Sequence, residues 1–172
     1  MDYVQIVKSR VSVRNYDPDR KIPRDVLKRI LEAGRLAPSA ANRQPWRFFV
    51  ITSKDMLDQV KQSYEAPWFQ DAPAVLAVAG RRADAWTRKH DGYNSLETDL
   101  TIAMDHMILC ADSEGVGTCW IAAFDPNLLT SALSLGTDEE VFAITPLGYP
   151  RDGYEKQTEK HRKALEELVT FL

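Results

Sequence analysis

Long apolar runs are missing from this chain. No stretch approaches the roughly 20 residues that cross a bilayer as a helix. The opening Met1-Asp2-Tyr3-Val4-Gln5 lacks the charged-then-apolar pattern of a secretion signal. Cysteine is scarce: Cys110 and Cys119 are the only two, and they form no CxxC pair. Two reduced thiols in a cytoplasmic protein are therefore expected, not a disulfide or redox pair. Neither sign of charge dominates, since 22 Lys plus Arg face 25 Asp plus Glu for a formal net charge of −3. That balance predicts no nucleic-acid partner and no membrane surface. A basic cluster, if there is one, must be local and suited to a small anionic ligand.

Several common active-site patterns are missing as well. Gly115-Val116-Gly117 is the only GxG, and Trp120 stands where a dinucleotide fingerprint needs its third glycine. There is no GxxxxGK[ST] phosphate loop and no GxSxG nucleophile turn. His90, His106 and His161 are far apart and show no HExxH or zinc-finger spacing. Asp99 and Asp105 flank an apolar helix, where a solvated edge or an interface ion pair is expected in preference to catalysis.

What remains fits one domain over residues 1–172, long enough to bury a core and without internal repeats or linkers. A short helix is expected over Tyr3 to Lys8. A stronger one begins at Pro23, with Val26, Leu27, Ile30, Leu31 and Gly34 on one stripe, and ends by Pro38. Arg47 to Thr52 reads as a strand, followed by a helix capped by Ser53. Ala74 to Ala79 is a continuous apolar run, the pattern of a strand covered on both faces. Leu100, Ala103, Met104, Met107, Ile108 and Ala111 recur at helical spacing, with Gly115 as the stop. Strands at Thr118 to Ala122 and Val141 to Leu147 enclose a helix near Pro126 to Leu133. The charged last stretch ends in a short helix around Leu165. Helices interspersed with strands in this way predict an α-β-α sandwich.

Four segments carry chemistry. In Ser9-Arg10-Val11-Ser12-Val13-Arg14, the residues Arg10, Ser12 and Arg14 alternate, so an extended backbone points all three the same way. Two planar guanidinium forks and a hydroxyl on one side suit a phosphate. Pro38-Ser39-Ala40-Ala41-Asn42-Arg43-Gln44-Pro45-Trp46 brackets small residues and two amides between prolines, which lets backbone approach a flat ligand. In Gly117-Thr118-Cys119-Trp120-Ile121-Ala122-Ala123-Phe124, the two alanines leave N–H groups uncovered if they fall at a strand end. The tail holds Pro146-Leu147-Gly148-Tyr149-Pro150 and then Lys160-His161-Arg162-Lys163. Taken singly, each segment also fits a plainer role: a basic strand edge, a helix-to-strand loop, core aromatics, a solvated terminus.

Taken in order, SRxSxR, PSAxNxQPW, GxGTCWIxAFD, LGYP and KxR resemble the FMN-dependent nitroreductase family over nearly the whole chain. The resemblance implies an α+β fold: a nitroreductase-like α-β-α sandwich on a central mixed, mainly antiparallel sheet, in an intertwined homodimer with FMN at the interface. It implies that Arg10 and Ser12 hold the FMN phosphate beside Val11, and that Arg14 reaches the pyrimidine edge near N1 and O2. Lys160 and Arg162 match the basic pair that closes on the same phosphate. Ala122, between Ile121 and Ala123, matches the backbone donor to flavin N5. The family often carries an acidic residue and a glycine at this point, so two alanines leave only the backbone role. Pro38, Ser39, Ala40, Asn42 and Gln44 match the segment supplied by the second subunit. No side chain is implied as a catalytic nucleophile.

The implied reaction is ping-pong. NAD(P)H gives hydride to flavin N5, and a small-molecule acceptor such as a nitroaromatic or quinone then takes the electrons in the same slot. Two alternatives share the scaffold. One is a specialised flavin reaction (dehalogenation, dehydrogenation or flavin consumption), which the position of the Arg81 to Ser95 segment, a place for a substrate lid with Trp86, Arg88, His90 and Tyr93, would discriminate from the leading reading. The other is a flavin-binding or storage protein without efficient turnover.

Overall fold

Asp2 starts the first helix, α1 (Tyr3–Ser9), by accepting the Gln5 N–H while the Gln5 side chain takes the Asp2 N–H. The computed structural model describes residues 2–172. The striped segment after Pro23 is helix α2 (Arg24–Arg35), which buries Val26, Ile30 and Gly34. Pro23 sits at its N-cap, one position before the first turn. The apolar-rich segment is α5 (Leu96–Ser113), which lies between α2 and the sheet. It ends as Gly115 predicts: the N–H of Val116 reaches back to the Ala111 carbonyl at 2.8 Å and that of Gly115 to Asp112 at 3.1 Å.

The sheet has four strands, β1 (Trp46–Ile51), β2 (Ala74–Arg81), β3 (Gly117–Thr118) and β4 (Glu139–Gly148), in the order β1-β2-β4-β3. Each neighbouring pair is antiparallel. A single parallel bridge joins Ser12 to Thr118. Alternation along the strands divides the core. Leu76, Val78, Ala143 and Leu147 face α2 and α5. Val75, Ala77 and Ile144 face the other side, where α3 (Lys54–Val60), α4 (Pro67–Gln70) and α6 (Pro126–Ala132) supply Leu57, Val60, Phe69 and Leu129. The result is the expected α+β sandwich of helices on both faces of a mainly antiparallel sheet.

Two local expectations change. Ser53 occupies the N-cap of α3, but its hydroxyl makes no capping bond. The strand expected from Thr118 to Ala122 stops at Thr118, because the next N–H, that of Cys119, goes to the Thr145 side-chain oxygen at 3.0 Å. Pairing returns only as one bridge between Ile121 and Ile144. Met104 and Met107 of α5 are buried within the chain, in the core between α2 and the sheet. Among the described residues, no helix is long and apolar enough to cross a membrane.

Candidate functional site: an unneutralised cationic cluster

The SRxSxR segment leaves α1 in an extended conformation at Arg10 and runs along β3. The Val13 N–H donates to the Thr118 carbonyl at 2.8 Å. This close approach requires glycine at position 117, where a Cβ would lie 2.9 Å from the Val13 side chain. Val11 and Val13 turn inward on to Tyr16, Trp68 and Ala72, while Ser12 and Arg14 stay exposed and Arg10 is half-buried. The alternation read from the sequence therefore holds. Tyr16 lies beneath the segment, donating to the Val13 carbonyl at 2.6 Å, and burial pushes its phenol far above the ordinary tyrosine range. Arg14 extends over the Trp68 ring, 5.8 Å from its centroid.

The tail returns to the same region. Arg151 donates its N–H to the Asn15 side chain at 3.1 Å and pairs with Asp71 at 3.0 Å. Lys156 pairs with Asp112 at 2.6 Å, and the Lys160 Nζ donates to the Val7 carbonyl near the end of α1 at 2.5 Å. Lys160 is held below the usual lysine pKa, first by burial and then by the guanidinium groups of Arg10 and Arg162. Three cations thus crowd one spot. Elsewhere Arg29, Arg35, Arg47, Arg81, Arg82, Arg88 and Arg151 all pair with carboxylates. Among the described residues, Arg10, Arg14, Lys160 and Arg162 pair with no carboxylate, which is also true of Arg20, Arg24 and Arg43 outside this region. What sets the first group apart is that Arg10, Lys160 and Arg162 meet. Ala122 and Ala123, just past the Ile121 bridge, are exposed, and among the described residues nothing accepts either N–H. Cations without an ion-paired carboxylate, and backbone N–H groups left free just past Ile121, suit an anionic ligand with hydrogen-bond acceptors.

The Pro38 to Trp46 loop is strained in a way the sequence does not announce. Ala41, Asn42 and Gln44 have φ of 51°, 53° and 51°, the left-handed region that non-glycine residues rarely adopt. The loop is held from several sides. Asp99 accepts the Ala40 N–H at 2.9 Å with one carboxylate oxygen and the Ser95 hydroxyl at 2.8 Å with the other. The Ser39 hydroxyl takes the Gln44 N–H at 2.9 Å, and the Gln44 amide reaches the Asn42 side chain at 3.2 Å. The Pro45 carbonyl sits so close to β2 that a Cβ on Gly80 would be 2.3 Å from it. Pro38 and Asn42 remain exposed, and Ser39 and Ala40 are half-buried.

The structure does not bring this loop to the cations. It docks at Asp99, near the start of α5, whereas the cationic cluster gathers around Asp112, in the last turn. At 1.5 Å per residue those two points lie about 20 Å apart along the helix. The Arg81 to Ser95 segment forms a small hairpin beside the loop: Thr87 bridges Asn94, and the Arg88 N–H donates to the Tyr93 carbonyl at 2.8 Å. Arg88 stacks on Tyr93 and pairs with Asp91, while His90 stays exposed.

Sequence reasoning missed two residues. Asp99 is 2 % exposed, so it is a buried clamp and not the solvated edge expected of it. Asp112 is 6 % exposed and takes both the Ser9 hydroxyl and the Lys156 ammonium. The one signal available was an acidic residue on an otherwise apolar helix. Two concavities lie away from the cationic cluster. One of about 1180 Å³ opens between α2, the end of β1 and α3, floored by Leu27, Leu31, Val50 and Leu57. A more open one of about 850 Å³ shares Leu31 and is lined by Trp46 and Phe48.

The model of the nitroreductase family matches residues 7–66 and 56–149. A protein of Archaeoglobus fulgidus, provisionally named NADH dehydrogenase/NAD(P)H nitroreductase, is 32% identical over 154 residues, covering 87% of this chain and 86% of its own. The crystal structure of a nitroreductase family protein from Clostridium difficile 630 superposes with a TM-score of 0.91 at 32% identity, covering 99% of this chain and 98% of that one. An FMN-dependent nitroreductase from Clostridium difficile R20291 shares the fold, with a TM-score of 0.80 at 24% identity and 98% coverage of both chains.

Proposed function

The chain belongs to the nitroreductase family, and from that premise we propose that it is an FMN-dependent NAD(P)H oxidoreductase acting on an electron-poor small molecule such as a nitroaromatic or quinone. The observation that carries the reading is the cluster of Arg10, Lys160 and Arg162, crowded together with none of the three ion-paired to a carboxylate. A phosphate monoester supplies the missing negative charge. Arg10, Ser12, Lys160 and Arg162 would hold it, and the Ala122 N–H, between Ile121 and Ala123, would donate to the flavin ring. Arg14, with Val11 next to it in the segment, would place its positive charge at the pyrimidine edge, where it favours the reduced form. Bound FMN would supply the two-electron redox chemistry that links NAD(P)H to the acceptor. The relative from Clostridium difficile R20291 is FMN-dependent, which supports the same cofactor here.

The working unit in this reading is a cytoplasmic homodimer, with the whole chain acting as one FMN-binding domain. Pro38, Ser39, Ala40, Asn42 and Gln44 lie about 20 Å along α5 from the cations, so a second copy delivers them to the site. The tail supplies the means. Leu165, Leu168 and Phe171 are 66%, 64% and 94% exposed, and Leu172 is fully exposed. β1 is an edge strand beside the apolar floor of Leu31, Trp46 and Phe48. A partner's tail laid along that edge covers both apolar surfaces and pairs the edge.

Anaerobic stopped-flow mixing of the FMN-loaded protein with NADH and with NADPH, followed by a panel of nitroaromatics and quinones, tests the reaction. Bleaching by at least one nicotinamide and reoxidation by an acceptor are expected. Bound FMN that neither nicotinamide reduces would leave a flavin-storage protein as the better reading.

A further inference from the structure

We infer that Asp112 is a positioning residue for the anion site, fastening the C-terminal segment across the end of α5 and so setting Lys160 beside Arg10. The inference rests on reading the cationic cluster as the FMN phosphate site. Asp112 lies in the last turn of α5, the end of a helix at which the backbone dipole disfavours a carboxylate. It is also buried, where an unpaired carboxylate is costly. Helix formation therefore does not account for it, and its partners do. One oxygen accepts the Ser9 hydroxyl at 2.7 Å and the other the Lys156 ammonium at 2.6 Å.

Those two partners flank the two halves of the site. Ser9 is the last residue of α1 and immediately precedes Arg10. Lys156 stands four residues before Lys160 in the tail, within reach of the Lys160 bond to the Val7 carbonyl. One carboxylate thus joins the N-terminal and C-terminal contributions, which would otherwise repel each other as like charges. Its own negative charge also offsets part of that repulsion at Lys160.

The test is FMN titration into the FMN-free protein, followed by quenching of flavin fluorescence, with thermal midpoints of the same FMN-free variants. Asp112→Asn keeps the shape and the acceptor for Ser9 but loses the charge that holds Lys156. It should weaken FMN binding roughly tenfold, the size of effect expected for one charge-assisted hydrogen bond. Lys156→Ala should do the same and Lys156→Arg should largely restore affinity, so the inference stays testable if Asp112→Asn fails to fold. Because Asp112 acts through Lys160, the double variant Asp112→Asn/Lys160→Ala should bind no worse than Lys160→Ala alone. Full additivity of the two losses, or wild-type affinity in both Asp112→Asn and Lys156→Ala, would overturn the role of Asp112 alone. Wild-type affinity in Lys160→Ala would mean that the phosphate site itself is misplaced, and the inference would fall with it.

Discussion

Tyr16 shows how a single buried side chain can support a site without touching a ligand. Its hydroxyl donates to the Val13 carbonyl, and Val13 in turn fixes the segment that carries Arg10, Ser12 and Arg14. The phenol is fully buried, which raises its pKa in the folded protein, whereas an unfolded tyrosine ionises near pH 10. A group raised on folding contributes stability that is complete below the unfolded value and drains away as pH rises past it. Tyr16→Phe should therefore cost about 1 kcal/mol at pH 8 for the lost hydrogen bond. Above about pH 10 the wild type should lose its advantage over the variant by about 1.4 kcal/mol per pH unit. Urea denaturation of both proteins at pH 8, 10 and 11 checks this, and a constant difference across the three would refute the burial argument. Asp99 and Asp112 belong to the same class of buried supports. Their partners Ala40, Ser9 and Lys156 lie 59, 103 and 44 residues away in sequence. Beyond their acidity on a largely apolar helix, nothing local points to these distant partners, so reading the chain residue by residue could not assign them.

Among the elements, the Pro38 to Trp46 loop is the one most finely set. Its left-handed Ala41, Asn42 and Gln44 persist because Asp99, Ser39 and the close contact at Gly80 hold the backbone from several directions. Gly80→Ala would drive a Cβ against the Pro45 carbonyl and within 2.8 Å of Leu96. A loss of about 1–3 kcal/mol is expected from such overpacking, together with weaker FMN binding as the loop shifts. Calorimetry and FMN titration on the variant check both effects, and a variant as stable as wild type would show that the loop yields freely. Elements with a long repeating pattern were legible: α2 and α5 fall where their apolar spacing placed them, and Gly115 ends α5. Short or interrupted ones were not. α4 is only Pro67–Gln70, too brief to show a period. β3 was read too long because Cys119-Trp120-Ile121 looks like a strand, while the Thr145 side chain takes the hydrogen bond that would have continued it. At the site, alternation in SRxSxR was enough to orient three side chains. The meeting of Arg10 with Lys160 and Arg162 was reachable only through the family resemblance, since they stand at opposite ends of the chain.

For the molecule as a whole, the two halves of the proposed site lie near opposite ends of α5, and the apolar tail lies exposed while an apolar edge groove stands open. The proposed second copy would answer all three features at once. Truncation before Leu165 should remove the tail's grip, giving a particle of half the mass by light scattering and an FMN affinity at least tenfold lower. A truncated chain that stays dimeric would place the interface elsewhere. The central claim, that this fold exists to hold one FMN per chain in a cationic cluster, meets its most direct test in the purified protein itself. Saturation with FMN, removal of free ligand and denaturation should release close to one FMN per chain from a yellow protein. A colourless protein that takes up no added FMN would contradict the account.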